Sequence, residues 1–206
     1  VAEFGDRNFD KNDLGFIFIN DYSTANIFGS YNLFNPFWKI FRQGSIDAWI
    51  NRDGRWSRDN ELTSLAAGNN VFLLFNNMWS YFHSVGTNLK TGRDWFEPRV
   101  NGRYYEVPKN TWMLFSFSSN YNKPLAFDWG FNHNWSHEIG QRSFGYFINP
   151  MIRFNDHFSL KFNNEYELNT NARGFCTFDT TGAPVFGRRD VKTLTNMLIA
   201  RYQFNP

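Results

Sequence analysis

The sequence predicts an all-β fold, an antiparallel up-and-down transmembrane β-barrel segment of about nine strands and incomplete as a barrel. Three observations carry that expectation. Apolar and polar residues alternate over long runs between Leu125 and Leu168: Leu125, Phe127, Trp129 and Phe131 share one face, against Ala126, Asp128, Gly130, Asn132 and Asn134 on the other. A period of two belongs to strands. Each run is about 11 residues, which at about 3.3 Å per residue and a tilt near 45° covers about 25 Å, the height of a membrane barrel's apolar band. The breaks between runs also alternate short and long, as hairpins with short turns on one side of a membrane and long loops on the other require.

Composition agrees with this pattern. The 206 residues include 25 Phe, 8 Trp and 9 Tyr, yet mean hydropathy is −0.53. Strands that face lipid or core with every second residue produce both features at once. A net charge of +2 lacks the electrostatic footprint of nucleic-acid binding. Cys176 is the one cysteine, which excludes an internal disulfide and a multi-cysteine metal site. The chain opens with Val1 and shows no signal peptide and no apolar run of about 18 residues, so a membrane crossing would be made by strands.

In chain order, residues 1–22 read as a leading loop with Asp6, Arg7, Asn8, Asp10, Lys11, Asn12 and Asp13 clustered. Strands are expected at about 23–34, with Ile27, Tyr31 and Leu33 on one face, and at 39–51, where Ile46, Ala48 and Ile50 oppose Asp47, Trp49 and Asn51. The polar stretch 51–64 is a long connection. Strands follow at 65–75 and 79–88 around the Asn76-Asn77 turn. Residues 89–110 form a long outer loop, and 111–121 resume as strand. The three regular segments come next, then a long outer loop at 169–190 and a last strand at 191–204. The turns near Pro36, Asn76, Lys123 and Asp156 fall on the periplasmic side, and the loops around Arg55, Arg99, Glu138 and Thr181 fall outside. Pro150 removes a ladder donor from the seventh strand and predicts a bulge or kink. An odd strand number, where closed bacterial barrels are even, predicts one domain over 1–206 that is part of a barrel wall and is truncated at both ends.

Several short motifs then resemble a known family. They are Asn12-Asp13-Leu14-Gly15-Phe16, Pro36-Phe37-Trp38-Lys39, Phe96-Glu97-Pro98-Arg99 with Gly102-Arg103-Tyr104-Tyr105, and Phe186-Gly187-Arg188-Arg189-Asp190-Val191. Together they resemble a bacteroidete outer-membrane β-barrel family known only as a domain of unknown function, usually C-terminal to a family 9 carbohydrate-binding-type module. The resemblance covers about Phe9 to Phe204. It implies a Gram-negative outer-membrane location, outer-membrane lipid as surroundings and a carbohydrate-binding module as partner in the parent chain. It implies no catalytic residue.

Candidate sites are few. In the 89–110 loop, Trp95, Glu97, Arg99, Arg103, Tyr104 and Tyr105 are the candidate ligand-binding residues, with Asp94, Phe96 and Glu106 among them. A sugar ring could stack on the aromatics while carboxylate and guanidinium groups meet its hydroxyls. The competing reading is a loop folded over the barrel mouth and held by Arg–carboxylate pairs. His133, Trp135 and His137 share one side of an extended chain. A metal site needs three or four convergent ligands, so an interfacial aromatic belt suits them better. Arg188, Arg189 and Asp190 form a charged knot that suits either a strand-end ion pair or a lipopolysaccharide phosphate. Asp128, Arg153, Lys161, Glu165 and Glu167 belong to the polar face, where they line a lumen or pair across strands. No phosphate loop or nucleophile elbow is present, and neither catalysis nor a cofactor is expected.

The expected function is anchoring or solute passage in the outer membrane, linked to glycan capture. Two alternatives stand beside it: a soluble carbohydrate-binding β-sandwich hiding the same apolar faces between two sheets, and an accessory part of a glycan-degrading enzyme.

Overall fold

Alternation of this length makes long strands, because each residue pair commits one side chain to each face and the backbone groups find partners only in neighbouring strands. The structure, a computed structural model, describes residues 1–6, 8, 21–57 and 61–204. The charged cluster from Asp10 to Asp13 and the Asn12 to Phe16 motif lie outside the described residues. Twelve strands run in order: β1 (Ala2–Gly5), β2 (Tyr22–Leu33), β3 (Phe41–Arg55), β4 (Glu61–Phe75), β5 (Ser80–Asn88), β6 (Gly92–Asp94), β7 (Tyr105–Val107), β8 (Asn110–Ser118), β9 (Leu125–Ser136), β10 (Arg142–Arg153), β11 (Phe158–Phe178) and β12 (Pro184–Tyr202). Ten of them form one up-and-down antiparallel sheet ordered β1-β2-β3-β4-β5-β8-β9-β10-β11-β12, while β6 and β7 pair in a small sheet of their own. The large sheet is open among the described residues, since β1 and β12 do not pair with each other.

The nine expected strands are all present, and several boundaries differ. Residues 1–22 are not wholly a leading loop, because β1 pairs with the start of β2 from Ala2 opposite Ala25 to Gly5 opposite Tyr22. The expected connection 51–64 is shortened, as β3 runs on to Arg55 and β4 begins at Glu61. The expected outer loop 169–190 is instead a β-ribbon. There β11 and β12 pair past the end of β10 and turn at 179–183, with register shifts between Asn169 and Ala172 and between Phe175 and Thr177. Pro150 makes no bulge. It stays in register opposite Phe127 of β9, and the missing donor shows only as a gap on the β11 side between the Ile148 and Met151 pairs. The connections 34–40, 76–79, 119–124 and 154–157 share one end of the sheet, and 56–57, 89–109, 137–141 and 179–183 share the other.

Register assigns the two faces. Phe115, Phe131, Tyr146 and Tyr166 lie in one row across β8 to β11. The ring centroids of Phe115 and Phe131 are 5.1 Å apart and those of Tyr146 and Tyr166 are 5.5 Å apart. Such cross-strand aromatic pairs each contribute about 0.5–1.5 kcal/mol. This outer face is bare: Ile27, Ile46, Ile50, Leu125, Ile148, Leu194 and Leu198 are all exposed. Only Phe41, Ala66 and Ala126 are buried hydrophobics among the described residues. A sandwich of this size would bury many more, and no second large sheet covers the outer face among the described residues.

The opposite face is the inner one. Along β3, inward Ser45, Asp47, Trp49 and Asn51 are half-buried while outward Ile46, Ala48 and Ile50 are exposed, as expected where a sheet curls and shelters its concave side. The segment between β5 and β8 supports the same curl. Trp95 meets Arg55 of β3, and Glu97 meets Phe175 of β11. Six strand spacings separate β3 from β11, about 29 Å across a flat sheet, and two residues of backbone span about 7 Å. A flat sheet would need every link stretched in one line. The curl brings both walls to the segment.

Candidate functional site

The segment 89–109 crosses the loop end of the sheet and roofs a cavity of about 650 Å³. Its β6 and β7 pair from Gly92 opposite Val107 to Asp94 opposite Tyr105. Gly92 is needed for the close approach to β4, because a Cβ there would stand 2.3 Å from the Thr63 carbonyl oxygen. Asp94 then turns the chain. Its Oδ1 accepts from the amides of Phe96 at 2.8 Å and Glu97 at 3.0 Å. Pro98 is fully buried behind that turn, and Arg99 takes a left-handed backbone at φ 56°.

Two anchors hold the segment across the opening. On the side of β3 and β4, the Arg55 guanidinium lies 5.3 Å from the Trp95 ring centroid, Trp95 and Tyr104 meet edge-on at 4.9 Å, and Arg93 lies 4.4 Å over Tyr104 while pairing with Glu61. On the ribbon side, Glu97 Oε1 accepts from the Phe175 amide at 2.7 Å, Arg99 lies 4.7 Å over the Phe175 ring, and Tyr105 packs on Phe186 at 4.9 Å. Asp179, in the ribbon turn, accepts from the Thr181 hydroxyl and the Thr181 and Ala183 amides. The Thr181 hydroxyl, the Ala183 amide and the charge of Arg103 hold its carboxyl below the usual range.

The cavity floor is built by the inner faces of β2 to β5. Thr24, Asp53, Ser64 and Asn88 line it from the sheet, and Trp95 and Phe96 from the roof. At its rim, Asp21 is buried. Burial alone would raise its carboxyl, but the Ser57 hydroxyl at 2.5 Å, the Ser57 amide at 2.7 Å and the Arg55 guanidinium at 3.1 Å outweigh that and leave it below 3.8. The lining offers a flat aromatic, hydroxyls and an amide, with the carboxylates of Asp21, Asp53 and Asp94 and the cations Arg55, Lys90 and Arg93, a sheltered space with recognition chemistry for a polar ligand.

Of the sequence-predicted site residues, Trp95 lines the cavity and Tyr104 backs it. Glu97, Arg99, Arg103 and Tyr105 point the other way and tie the segment to the ribbon. Sequence reasoning missed Thr24, Asp53, Ser64 and Asn88. Their signal was available as alternate positions on the polar face, but it takes register to show that they converge. Elsewhere, His133 stacks on Trp135 at 5.2 Å, and His137 bonds the Thr111 hydroxyl at 2.9 Å. No group of three or more His, Cys, Asp or Glu side chains gathers for a metal among the described residues. In the charged knot, Asp190 accepts from the Asn171 amide at the ribbon bulge. Asp128 and Arg153 both face inward and engage Tyr121, whose hydroxyl donates to Asp128 at 2.5 Å and whose carbonyl accepts from Arg153.

A family model described as Domain of unknown function (DUF5916) matches residues 1–206. No curated protein matches the chain significantly.

Proposed function

The chain belongs to the DUF5916 family, a domain of unknown function, and from that premise we propose that it is wall of a bacterial outer-membrane β-barrel serving anchoring or solute passage, with glycan as the solute class. One observation carries the reading. The outer face is predominantly apolar and is left uncovered by the described residues, running from Ile27 and Tyr31 on β2 to Leu194 and Leu198 on β12. Soluble monomers rarely expose a contiguous apolar patch beyond about 300–600 Å², whereas lipid accepts such a face at no cost. Several polar side chains on that face pair with one another, as lipid exposure favours. His83 bridges Asn69 at 3.1 Å and the Tyr81 hydroxyl at 3.0 Å, and Asn164 donates to Asn196 at 2.7 Å.

Short turns at one end of the sheet and longer excursions at the other fit periplasmic and outer sides respectively. In a closed wall the edges of β1 and β12 both find strand partners, because open edges are not tolerated in lipid. The test is fractionation of the parent protein, detergent extraction and gel mobility with and without heating. An outer-membrane protein whose band shifts on heating is the expected result. A protein that stays soluble without detergent overturns the membrane reading and favours a soluble carbohydrate-binding protein.

A further inference from the structure

Deeper on the inner face, one row of the sheet differs from its neighbours. Across β3, β4, β5 and β8 it reads Trp49, Gly68, Gly86, Trp112 in strict register. A Cβ on Gly68 would stand 2.6 Å from Cζ2 of Trp49, and a Cβ on Gly86 would stand 2.4 Å from Cζ2 of Trp112. Each indole therefore reaches over the neighbouring glycine, into the space a side chain there would take. Three strand spacings, about 14 Å, separate the two tryptophan backbones, yet the ring centroids are 6.1 Å apart and the planes differ by 26°. The two rings form a near-parallel, offset stacked pair. The pair makes an aromatic floor over the two glycines, and only glycine leaves room for it.

The rows on either side of the floor are polar. Asn51 and Asn88 lie in the row toward the loop end, and Asp47, Asn70 and Ser84 in the row toward the turns. Asn88 also lines the roofed cavity, so the floor begins one inward row below that cavity. We propose that the floor is a carbohydrate-binding subsite that takes a neutral pyranose unit of a glycan entering from the loop end. This deepens the glycan half of the proposed function and stands independently of its membrane half.

The chemistry separates a sugar from other flat ligands. An indole face is electron-rich and attracts the electropositive C–H face of a pyranose. The sugar's hydroxyls project outward in the plane of its ring, toward the Asn and Asp side chains of the flanking rows, which supply both donors and acceptors. A purely aromatic ligand would stack equally well but would leave those groups desolvated and unmatched. Asp47 beside the floor disfavours an anionic ligand there.

The experiment is titration of the folded parent protein, in detergent where it needs it, with neutral hexasaccharides of α-linked glucose, β-linked glucose, mannose and N-acetylglucosamine, followed by tryptophan fluorescence. At least one should give a saturable change. Trp49→Leu and Trp112→Leu should each weaken it at least tenfold, and Trp38→Leu, exposed in the turn at the opposite end of the sheet, should leave it unchanged. If a floor variant fails to fold, Asn70→Ala, which leaves the indoles in place, should still weaken binding at least threefold. Absence of any saturable change in the folded parent protein overturns the assignment. So does a Trp38→Leu variant that loses binding while the floor variants keep it. Heat-dependent mobility of the same samples reports the barrel separately, so the two proposals fail independently.

Discussion

Exchange of Phe162 for arginine tests the face assignment directly, because water and lipid predict opposite outcomes. Phe162 lies on the outer face of β11 opposite Leu198 and is 39 % exposed. The stretch of β11 that pairs with β10 runs from Ser159 to Thr170, which puts Phe162 between two and three residues from its middle. At about 3.3 Å per residue and a tilt near 45°, that is about 6 Å from mid-height, inside an apolar band about 25 Å tall. An arginine there should cost about 2 to 3 kcal/mol of barrel stability, somewhat below the maximum at the midplane. The neighbouring Asn163 faces inward beside Met197, with its Oδ1 unpartnered. Asn163→Arg adds a charge to a polar face and should cost about 1 kcal/mol or less. The assay is urea-dependent folding into lipid vesicles, read as the fraction of heat-shiftable band. In water a half-exposed Phe162→Arg would be equally mild, so equal urea midpoints for the two variants would refute the lipid-facing assignment.

Three further outcomes follow from the geometry. Gly86→Ala drives a Cβ into the Trp112 indole and should cost about 1 to 3 kcal/mol by overpacking in the same urea assay, with shifted tryptophan emission; Gly29→Ala, whose Cβ meets nothing within 4 Å, should be neutral or stabilise by up to about 1 kcal/mol. Glu97→Ala removes the acceptor of the Phe175 amide and should cost about 1 kcal/mol while exposing 89–109 to limited proteolysis; unchanged cleavage would show that the ribbon anchor is dispensable. Asp21 has its folded-state pKa below 3.8, so its stabilisation is complete above the unfolded value and fades as pH falls through the folded one. The stability gap between the native chain and Asp21→Asn should therefore be constant from neutral pH to about 4 and shrink below it, as urea titrations at stepped pH would show.

Element existence was legible because the alternation is strong wherever a strand has apolar neighbours on one side. The Leu125 to Leu168 region shows this best: every facing assigned there from the period holds in the register of β9, β10 and β11. Extensions past that band were not legible. Arg52 to Arg55 and Asn169 to Phe178 carry no regular apolar alternation, yet both are strand, because pairing with β2 and β4 or with β12 satisfies their backbone groups. Pro150 was overread for a related reason. Its missing donor is absorbed by a gap in one ladder while the other holds register. Within the 89–110 segment the sequence did not show which side chains face the cavity: whether Glu97 or Trp95 turns toward it depends on the Asp94 turn and the left-handed Arg99, which no spacing encodes.

The irregularities of the polar face follow from the same logic. By period alone, Trp49 and Trp112 are misplaced aromatics on a polar face, and Gly68 and Gly86 are weak points in strands, since glycine has no side chain to pack and a large conformational entropy to lose. Register joins the four into one row, and each anomaly then accounts for the other. The glycines are tolerated because an indole reaches over each of them, and the indoles can stack there because no side chain rises beneath them. Neither substitution is neutral alone: an alanine at Gly86 lifts the ring, and a leucine at Trp112 uncovers the glycine. A wall built only to hold its shape would gain strand stability from valine or threonine at the glycines and lose nothing by a serine at the tryptophans. That the row instead keeps an aromatic surface, bordered by amides and a carboxylate and opening toward a roofed cavity, is the arrangement expected where the inner face must recognise what passes over it.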